Sequence, residues 1–241
     1  MPSFREAAER WAVDMIELDV RASADGHCVV IHDSTVDRTT DGEGPVAGMT
    51  LDQLRALDAG YRFTDDAGGH PFRGQGIRIP TLDEVLTAFP ELRFTVEIKT
   101  GAAQEPMKEA IRKHDAAHRV VVAGMDHRDR RLFRGYRGAV SGPTRTVRWF
   151  YVLQRLRLAW LWPRTADVFQ VPETRGALRI VTPRFVRAAA RRGVPVHVWT
   201  VNDTDAMARL LEWGVDGLIT DRPDRAARVL ADRVGRPPPG P

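Results

Sequence analysis

Two carboxylates and one histidine lie in two short apolar runs near the start of the sequence. Glu17 and Asp19 alternate with apolar residues in the run 15–20, which is the period-two pattern of a β-strand. Side chains two residues apart on a strand share one face, so these carboxylates repel each other unless a cation lies between them. His32 closes the second run, 29–33. Hard oxygen ligands beside a titratable imidazole are suited to metal-assisted phosphate chemistry.

Three later residues could join this chemistry. Glu97 interrupts a strand-like apolar run, Lys99 follows it on the same face, and Trp199 lies in another run of this kind. Three carboxylates from two strands could form an oxygen cage for Mg²⁺ or Ca²⁺, and Lys99 would place a positive charge against a phosphate oxygen. Considered alone, each of these residues also has a purely structural explanation. Trp199, for example, could be an ordinary residue of the hydrophobic core.

The elements that must position these residues alternate between strands and helices. This alternation indicates βα units and a parallel sheet, and no glycine-rich phosphate loop opens a predicted helix, which argues against a nucleotide-binding doubly wound fold. The predicted strands are 15–20, 94–98, 119–123, 139–141, 168–171, 196–201 and 217–220. These seven strands are one fewer than a (β/α)₈ barrel needs, and the absent strand would be the first.

The length of 241 residues suits a single barrel domain, which we place at residues 1–233. Within it, residues 33–82 are polar and rich in turns, so we expect an insertion or elaborated loop. Residues 234–241 form a proline-rich tail that we expect to be disordered.

Composition narrows the classes of partner. The net charge is +4, but the basic residues are scattered and no nucleic-acid motif accompanies them, so we expect an anionic substrate or lipid headgroup and no nucleic acid. Cys28 is the only cysteine, which excludes an internal disulfide and a thiolate metal cluster. We expect Cys28 to be a small buried hydrophobe.

The sequence has no signal peptide and no long uncharged apolar run, which predicts a cytoplasmic protein provided that Met1 is the true start. Residues 146–162 read as a helix that carries Trp149, Trp160 and Trp162 with arginines between them. One interpretation is an outer helix that covers the barrel. The other is a basic, aromatic lip that contacts lipid headgroups or a lysolipid substrate and makes the protein peripheral to a membrane.

Seven motifs occur in a specific order and spacing. They are Met-Ile-Glu-Leu-Asp-Val-Arg (15–21), Asp-Gly-His-Cys-Val-Val-Ile-His-Asp (25–33), Val-Asp-Arg-Thr-Thr-Asp-Gly-Glu-Gly (36–44), Ile-Pro-Thr-Leu-Asp-Glu-Val-Leu (79–86), Val-Glu-Ile-Lys (96–99), Val-Trp-Thr-Val-Asn (198–202) and Gly-Val-Asp-Gly-Leu-Ile-Thr-Asp-Arg-Pro (214–223). From about residue 3 to residue 226, the chain resembles the glycerophosphodiester phosphodiesterase family.

The resemblance implies a TIM (β/α)₈ barrel with a small insertion, here residues 33–82, after the family's second strand, which is the first strand of this chain. It implies a metal-dependent hydrolase that converts a glycerophosphodiester to glycerol 3-phosphate and an alcohol. By this resemblance, Glu17, Asp19 and Glu97 would be metal ligands and His32 would be an acid/base group. Lys99 would contact the phosphate, and Trp199 would line the substrate site. A lysophospholipase D activity is a related alternative.

The family's His-Arg-Gly strand and Pro-Glu-Asn-Thr turn, which supply a second catalytic histidine, are not found before Ser3. We therefore expect Met1 to be an internal methionine, and we expect the chain as written to be impaired in stability and activity. In-frame upstream codons for these residues would support the expectation, and a stop codon there would contradict it. The remaining alternative is a non-catalytic remnant of the fold that binds phosphate or lipid.

Overall fold

The computed structural model describes residues 1–236, apart from the side chains of residues 129 and 130. These residues form two compact units. The first unit comprises residues 1–3 and 15–138, and the second comprises residues 4–14 and the chain from residue 139 onward. None of the described helices is long and apolar enough to cross a membrane.

The first unit is built on a four-stranded sheet with the order β2-β1-β3-β4. Its strands are β1 (Met15–Ala22), β2 (Cys28–Val30), β3 (Arg93–Ile98) and β4 (Val120–Ala123). Strands β1, β3 and β4 are parallel, whereas β2 pairs with the end of β1 in the antiparallel sense. The burial of side chains along β1 follows the alternation of polar and apolar residues in the sequence. Its apolar residues Ile16, Leu18 and Val20 are buried.

One helix of this unit begins where the sequence supplies a side-chain cap. Helix α3 (Leu82–Ala88) opens with a capping box, in which the Thr81 hydroxyl accepts from the Glu84 N–H and the Glu84 carboxylate accepts from the Thr81 N–H. Helix α4 (Gln104–Lys113) follows β3. Cys28 is buried as expected, and burial raises the pKa of its thiol to about 12.

The insertion at residues 33–82 has an apolar cluster of its own. It contains the short helix α2 (Leu51–Ala56), which is capped by Thr50 and Gln53 in the same box arrangement. The cluster combines side chains from β2 with side chains from the insertion: Val29, Ile31, Val36, Val46, Leu51, Leu54 and Ile79. These contacts hold the chain on both sides of His32 in a defined path.

The second unit contains a parallel three-stranded sheet with the order β5-β8-β9 and the hairpin β6-β7. Its strands are β5 (Phe169–Pro172), β6 (Thr174–Arg175), β7 (Leu178–Arg179), β8 (Val196–Trp199) and β9 (Gly217–Leu218). Its helices after residue 139 are α5 (Thr144–Arg155), α6 (Pro183–Ala190), α7 (Thr204–Glu212) and α8 (Pro223–Val234). The predicted strand 139–141 is reduced to one parallel bridge, between Ser141 and Val168. The short helix α1 (Pro2–Arg5) continues as a π-helical turn, Glu6–Arg10, and crosses the boundary between the units.

The structure describes the first three residues of the predicted tail, 234–236. Val234 is the last residue of α8, so the boundary that we placed at residue 234 falls inside this helix. Arg236 donates hydrogen bonds to the Asp14 carboxylate and the Ala12 carbonyl within the second unit. The remainder of the predicted disordered tail, residues 237–241, lies outside the described residues.

The prediction of one helix over residues 146–162 is wrong. Helix α5 ends at Arg155, because the Arg157 N–H bonds to the Gln154 carbonyl and the Leu158 N–H bonds to the Leu153 carbonyl. These two bonds form a Schellman motif, and Arg157 takes the left-handed position with φ +64° that glycine usually occupies. A separate 3₁₀ turn, Ala159–Leu161, follows.

Trp162 does not belong to an exposed lip, and that part of the prediction is also wrong. Its side chain is only 1% exposed and packs edge-on against Phe150 and near Phe169, with ring centroids 5.3 Å away in both cases. The turn after α5 directs this indole into the core of the second unit, where apolar burial and aromatic contact stabilise it.

Candidate active site and metal centre

The carboxylates of β1 and β3 meet in one cluster of the first unit. The parallel register places Asp19 directly opposite Glu97, and Glu17 lies on the same face of β1 as Asp19. One carboxylate oxygen from each of Glu17, Asp19 and Glu97 lies within 4.8 Å of the others. The strand pairing therefore brings together the three residues predicted as metal ligands.

Lys99 lies between two of these carboxylates. Its ammonium nitrogen is 2.9 Å from Asp19 Oδ1 and 2.8 Å from Glu97 Oε1. Desolvation disfavours the charged lysine, but the contacts with Glu97 and Asp19 outweigh it and raise the Lys99 pKa above its usual value. The cluster thus already holds one positive charge.

The donor set fits a divalent cation. Three carboxylates and one ammonium leave two formal negative charges, and the ligand atoms are the hard oxygens that Mg²⁺ and Ca²⁺ prefer. Asp19 Oδ1 is buried and accepts no well-directed hydrogen bond from the described residues, because the Lys99 contact is an ion pair by distance only. Coordination of a cation would stabilise a buried carboxylate oxygen in this state.

His32 is held by an aspartate and an arginine. Its Nδ1 lies 2.6 Å from Asp33 Oδ1, and Asp33 in turn accepts two hydrogen bonds from Arg38, at 2.5 and 3.1 Å. Arg38, and to a lesser extent His32, hold the pKa of Asp33 well below its usual range. An ionised Asp33 only accepts, so His32 carries its proton on Nδ1 in the neutral ring and leaves Nε2 for proton transfer.

The backbone brings this histidine to the same end of β1 as the carboxylates. The Ile31 N–H donates to the Asp19 carbonyl at 3.0 Å, and Arg21 Nε donates to the His32 carbonyl at 3.0 Å. The imidazole is largely exposed, which leaves it accessible to a substrate. One unit therefore presents an exposed histidine at the strand end that carries a carboxylate cluster suited to a divalent cation.

Trp199 ends strand β8 in the second unit and is 39% exposed. The Asn202 side chain, a few residues later, joins the loops after β8 and β9: it accepts from the Thr220 hydroxyl and the Asp221 N–H, and it donates to the Asp221 carboxylate. The Val-Trp-Thr-Val-Asn and Ile-Thr-Asp motifs thus have a structural role in positioning these two loops.

Sequence reasoning missed the contribution of Asp33 and Arg38. From the sequence alone, neither residue was given a role at the site. The available signal was an aspartate directly after the candidate histidine, followed within one turn-rich segment by an arginine. The bidentate contact itself depends on the path of the insertion and is visible only in the structure.

We expect Asp33→Asn to lower turnover about 10- to 100-fold, the usual cost of losing a group that orients a functional histidine. The amide can present an N–H to Nδ1 and favour the wrong tautomer. Cation affinity should stay unchanged, since Asp33 is not one of the clustered carboxylates. Steady-state kinetics and isothermal titration with Mg²⁺ or Ca²⁺ measure the two quantities, and an equal loss in both would contradict the assignment.

The pH dependence of this contact has a definite sign. The pKa of Asp33 is depressed in the folded chain, so the stabilisation is present above the unfolded-state value of about 3.9 and is lost as pH falls towards the folded value. Arg38→Met removes the largest cause of the depression, so the loss should still begin near the unfolded-state value but should be smaller and complete at a higher pH. An NMR titration of the Asp33 carboxyl carbon in both forms tests this.

Residues 1–225 match the glycerophosphoryl diester phosphodiesterase family, and the chain belongs to this family. A probable glycerophosphodiester phosphodiesterase 2 of Mycobacterium tuberculosis is 33% identical over 239 residues, which cover 97% of this chain and 85% of that protein. A glycerophosphodiester phosphodiesterase of Caldanaerobacter subterraneus is 34% identical over 239 residues, with 95% and 90% covered.

Solved structures show the same fold. The glycerophosphoryl diester phosphodiesterase domain of a Mycobacterium tuberculosis protein superposes with a TM-score of 0.79 at 22% identity, covering 95% of this chain and 91% of that one. An Oleispira antarctica phosphodiesterase, solved in complex with the product sn-glycerol-3-phosphate, gives a TM-score of 0.72 at 20% identity, with 91% and 86% covered. These likenesses confirm the predicted TIM (β/α)₈ barrel of the phosphodiesterase type.

Proposed function

We propose that this chain hydrolyses glycerophosphodiesters, with water, to glycerol 3-phosphate and an alcohol. The observation that carries the proposal is the cluster of Glu17, Asp19 and Glu97 with Lys99 between its members and His32 at the same strand end. Membership of a phosphodiesterase family and the product complex of the Oleispira antarctica relative support this reaction.

Each residue then has a defined task. Glu17, Asp19 and Glu97 would hold Mg²⁺ or Ca²⁺, which when bound would supply charge neutralisation at the phosphate and a lower pKa for an attacking hydroxyl or water. Lys99 can contact a phosphate oxygen once it leaves the carboxylates. His32 Nε2 accepts or donates the proton at the oxygen being transferred, while Asp33 and Arg38 keep the ring oriented.

The test is hydrolysis of glycerophosphocholine and glycerophosphoglycerol, followed as glycerol 3-phosphate, with added Mg²⁺ or Ca²⁺ and with a chelator. We expect activity that a chelator removes and that the effective cation restores. Cation binding measured by calorimetry together with no release of glycerol 3-phosphate would favour the alternative of a non-catalytic remnant that binds phosphate or lipid.

A lysolipid is the second candidate substrate, with peripheral contact between the protein and a membrane. The exposed indoles of Trp149 and Trp160 in the second unit favour it, because tryptophan is enriched where protein meets lipid headgroups. A panel that compares lysophospholipids with water-soluble diesters measures the preference. A higher kcat/KM for the lysolipids would indicate a lysophospholipase D activity, and the reverse order would exclude it as the main activity.

A further inference from the structure

One face of the second unit exposes apolar and basic side chains together. Helix α5 buries Val147, Phe150 and Leu153 against the core. Its opposite side and the following turn leave large apolar groups in solvent: Trp149, Val152, Leu156, Trp160 and Leu161. Trp149 is 55% and Trp160 is 66% exposed, and a concentration of large exposed apolar side chains on one helix face and the turn that follows it marks an interaction site. We call these five residues the apolar patch.

The charge around the apolar patch has one sign. From residue 139 to residue 166 the sequence contains five arginines and no aspartate or glutamate: Arg145, Arg148, Arg155, Arg157 and Arg164. All five are exposed, and of the salt bridges among the described residues only the contact of 3.9 Å between Arg164 and Asp167 involves one of them. Two further arginines flank the patch, because Arg184 donates to the Gln154 and Arg155 carbonyls and Arg192 donates to the Trp162 carbonyl.

The segment that carries the apolar patch is conformationally ordered, unlike a flexible loop. The Schellman motif at Arg157 turns the chain, and Trp162 is inserted into the core against Phe150. The turn that carries Trp160 and Leu161 is thereby tied at both ends. A surface that is already ordered loses little conformational entropy when a partner covers it.

We infer that this patch binds the surface of a bilayer that contains anionic lipids. Indole rings and leucines can enter the headgroup region while the arginines contact lipid phosphates, which satisfies both kinds of exposed group at once. A second copy of the chain is a poorer occupant, since a symmetric contact would place two sets of five arginines against each other. The inference deepens the lysolipid candidate and rests on the proposed function only for its consequence on substrates.

Co-sedimentation with vesicles tests the inference without turnover, so its failure is distinguishable from failure of the proposed hydrolysis. We expect binding to vesicles of phosphatidylcholine with one-third phosphatidylglycerol, much weaker binding to pure phosphatidylcholine, and a decline as salt rises. Arg148→Glu with Arg155→Glu should weaken binding at least about tenfold, because each basic residue near an anionic surface contributes roughly fivefold and reversal adds repulsion.

The matched control is Arg228→Glu with Arg233→Glu, which makes the same change in net charge at exposed arginines of α8, a helix of the same unit that contributes no residue to the patch or to its flanking arginines, and should bind like the unchanged chain. Arg148→Lys with Arg155→Lys keeps the charge and should also retain binding. Trp149→Ser with Trp160→Ser should reduce binding to anionic vesicles while circular dichroism stays unchanged. Equal loss in both charge-reversal pairs, equal binding to neutral vesicles, or no binding at all would overturn the inference. So would a dimer, seen by analytical ultracentrifugation, that the tryptophan substitutions dissociate.

Discussion

Asp19→Asn is expected to lower affinity for Mg²⁺ or Ca²⁺ at least about 100-fold and kcat/KM by about 10²–10³. Groups that only orient a metal ligand already contribute 10- to 100-fold in affinity, and removal of one group that stabilises transition-state charge costs about 10²–10³ in rate. Asp19 is central to the cluster, since it lies across from Glu97, shares a face with Glu17 and pairs with the Lys99 ammonium through a buried oxygen. Calorimetric titration and steady-state kinetics measure both losses.

The same substitution should leave the cation-free chain as stable as before. With three carboxylates and one ammonium, loss of one negative charge relieves repulsion, and Lys99 keeps its contact with Glu97. In the unchanged chain, a cation at 100 times its Kd adds about 2.7 kcal/mol of stability, or about 5–10 °C in Tm for a chain of this size. At the same cation concentration, Asp19→Asn should reduce that gain to about 0.4 kcal/mol or less, roughly 1–2 °C in Tm. Asp52→Asn, at an exposed position on α2, is the control and should retain it.

A drop in the Tm of Asp19→Asn in the absence of cation, large enough to explain its loss of activity by unfolding, would contradict this account. It would mean that Asp19 is needed chiefly for folding. Lys99 makes the distinction sharper, because its ammonium lies between the carboxylates of Asp19 and Glu97 and repels a cation there. Lys99→Met should therefore raise cation affinity while it lowers kcat, a split that a purely structural lysine would not produce.

Strand positions and caps were predictable because they depend on local pattern. The alternation around Glu17 and Asp19 predicted β1 from its first residue, and Thr81 with Glu84 three residues later is the local pattern that starts α3. The meeting of Asp19 with Glu97 could be expected once both strands were placed in a parallel sheet. Its register, however, is set by packing between strands that are more than seventy residues apart in sequence.

Other features depend on geometry that the sequence does not mark. A helix through residue 162 was a reasonable prediction from the sequence. Position 157 is an arginine, whereas the left-handed residue that ends a helix is usually glycine. Strand β2 was only a short apolar run, and its antiparallel pairing with β1 arises from the path of the chain around residues 23–27. The bonds from Arg38 to Asp33 likewise need the apolar cluster of the insertion to hold the chain in place.

His32→Asn is expected to lower kcat about 10²–10⁴-fold, the usual contribution of a general acid or base, with cation affinity unchanged. The asparagine amide lies where Nδ1 lies and can still donate to Asp33, but nothing replaces Nε2. The variant therefore separates orientation from proton transfer. His27→Gln is the matched control, because His27 is exposed in the turn before β2 and should tolerate the change with full activity.

The double variant His32→Asn with Asp33→Asn decides whether Asp33 acts through the histidine. If it does, the second substitution costs little once Nε2 is gone, and the two losses are far from additive. Independent roles would multiply them, giving a further 10- to 100-fold loss. A His32→Asn variant with undiminished kcat would contradict the assignment of the acid/base group, while intact cation binding in that variant would leave the assignment of Glu17, Asp19 and Glu97 standing.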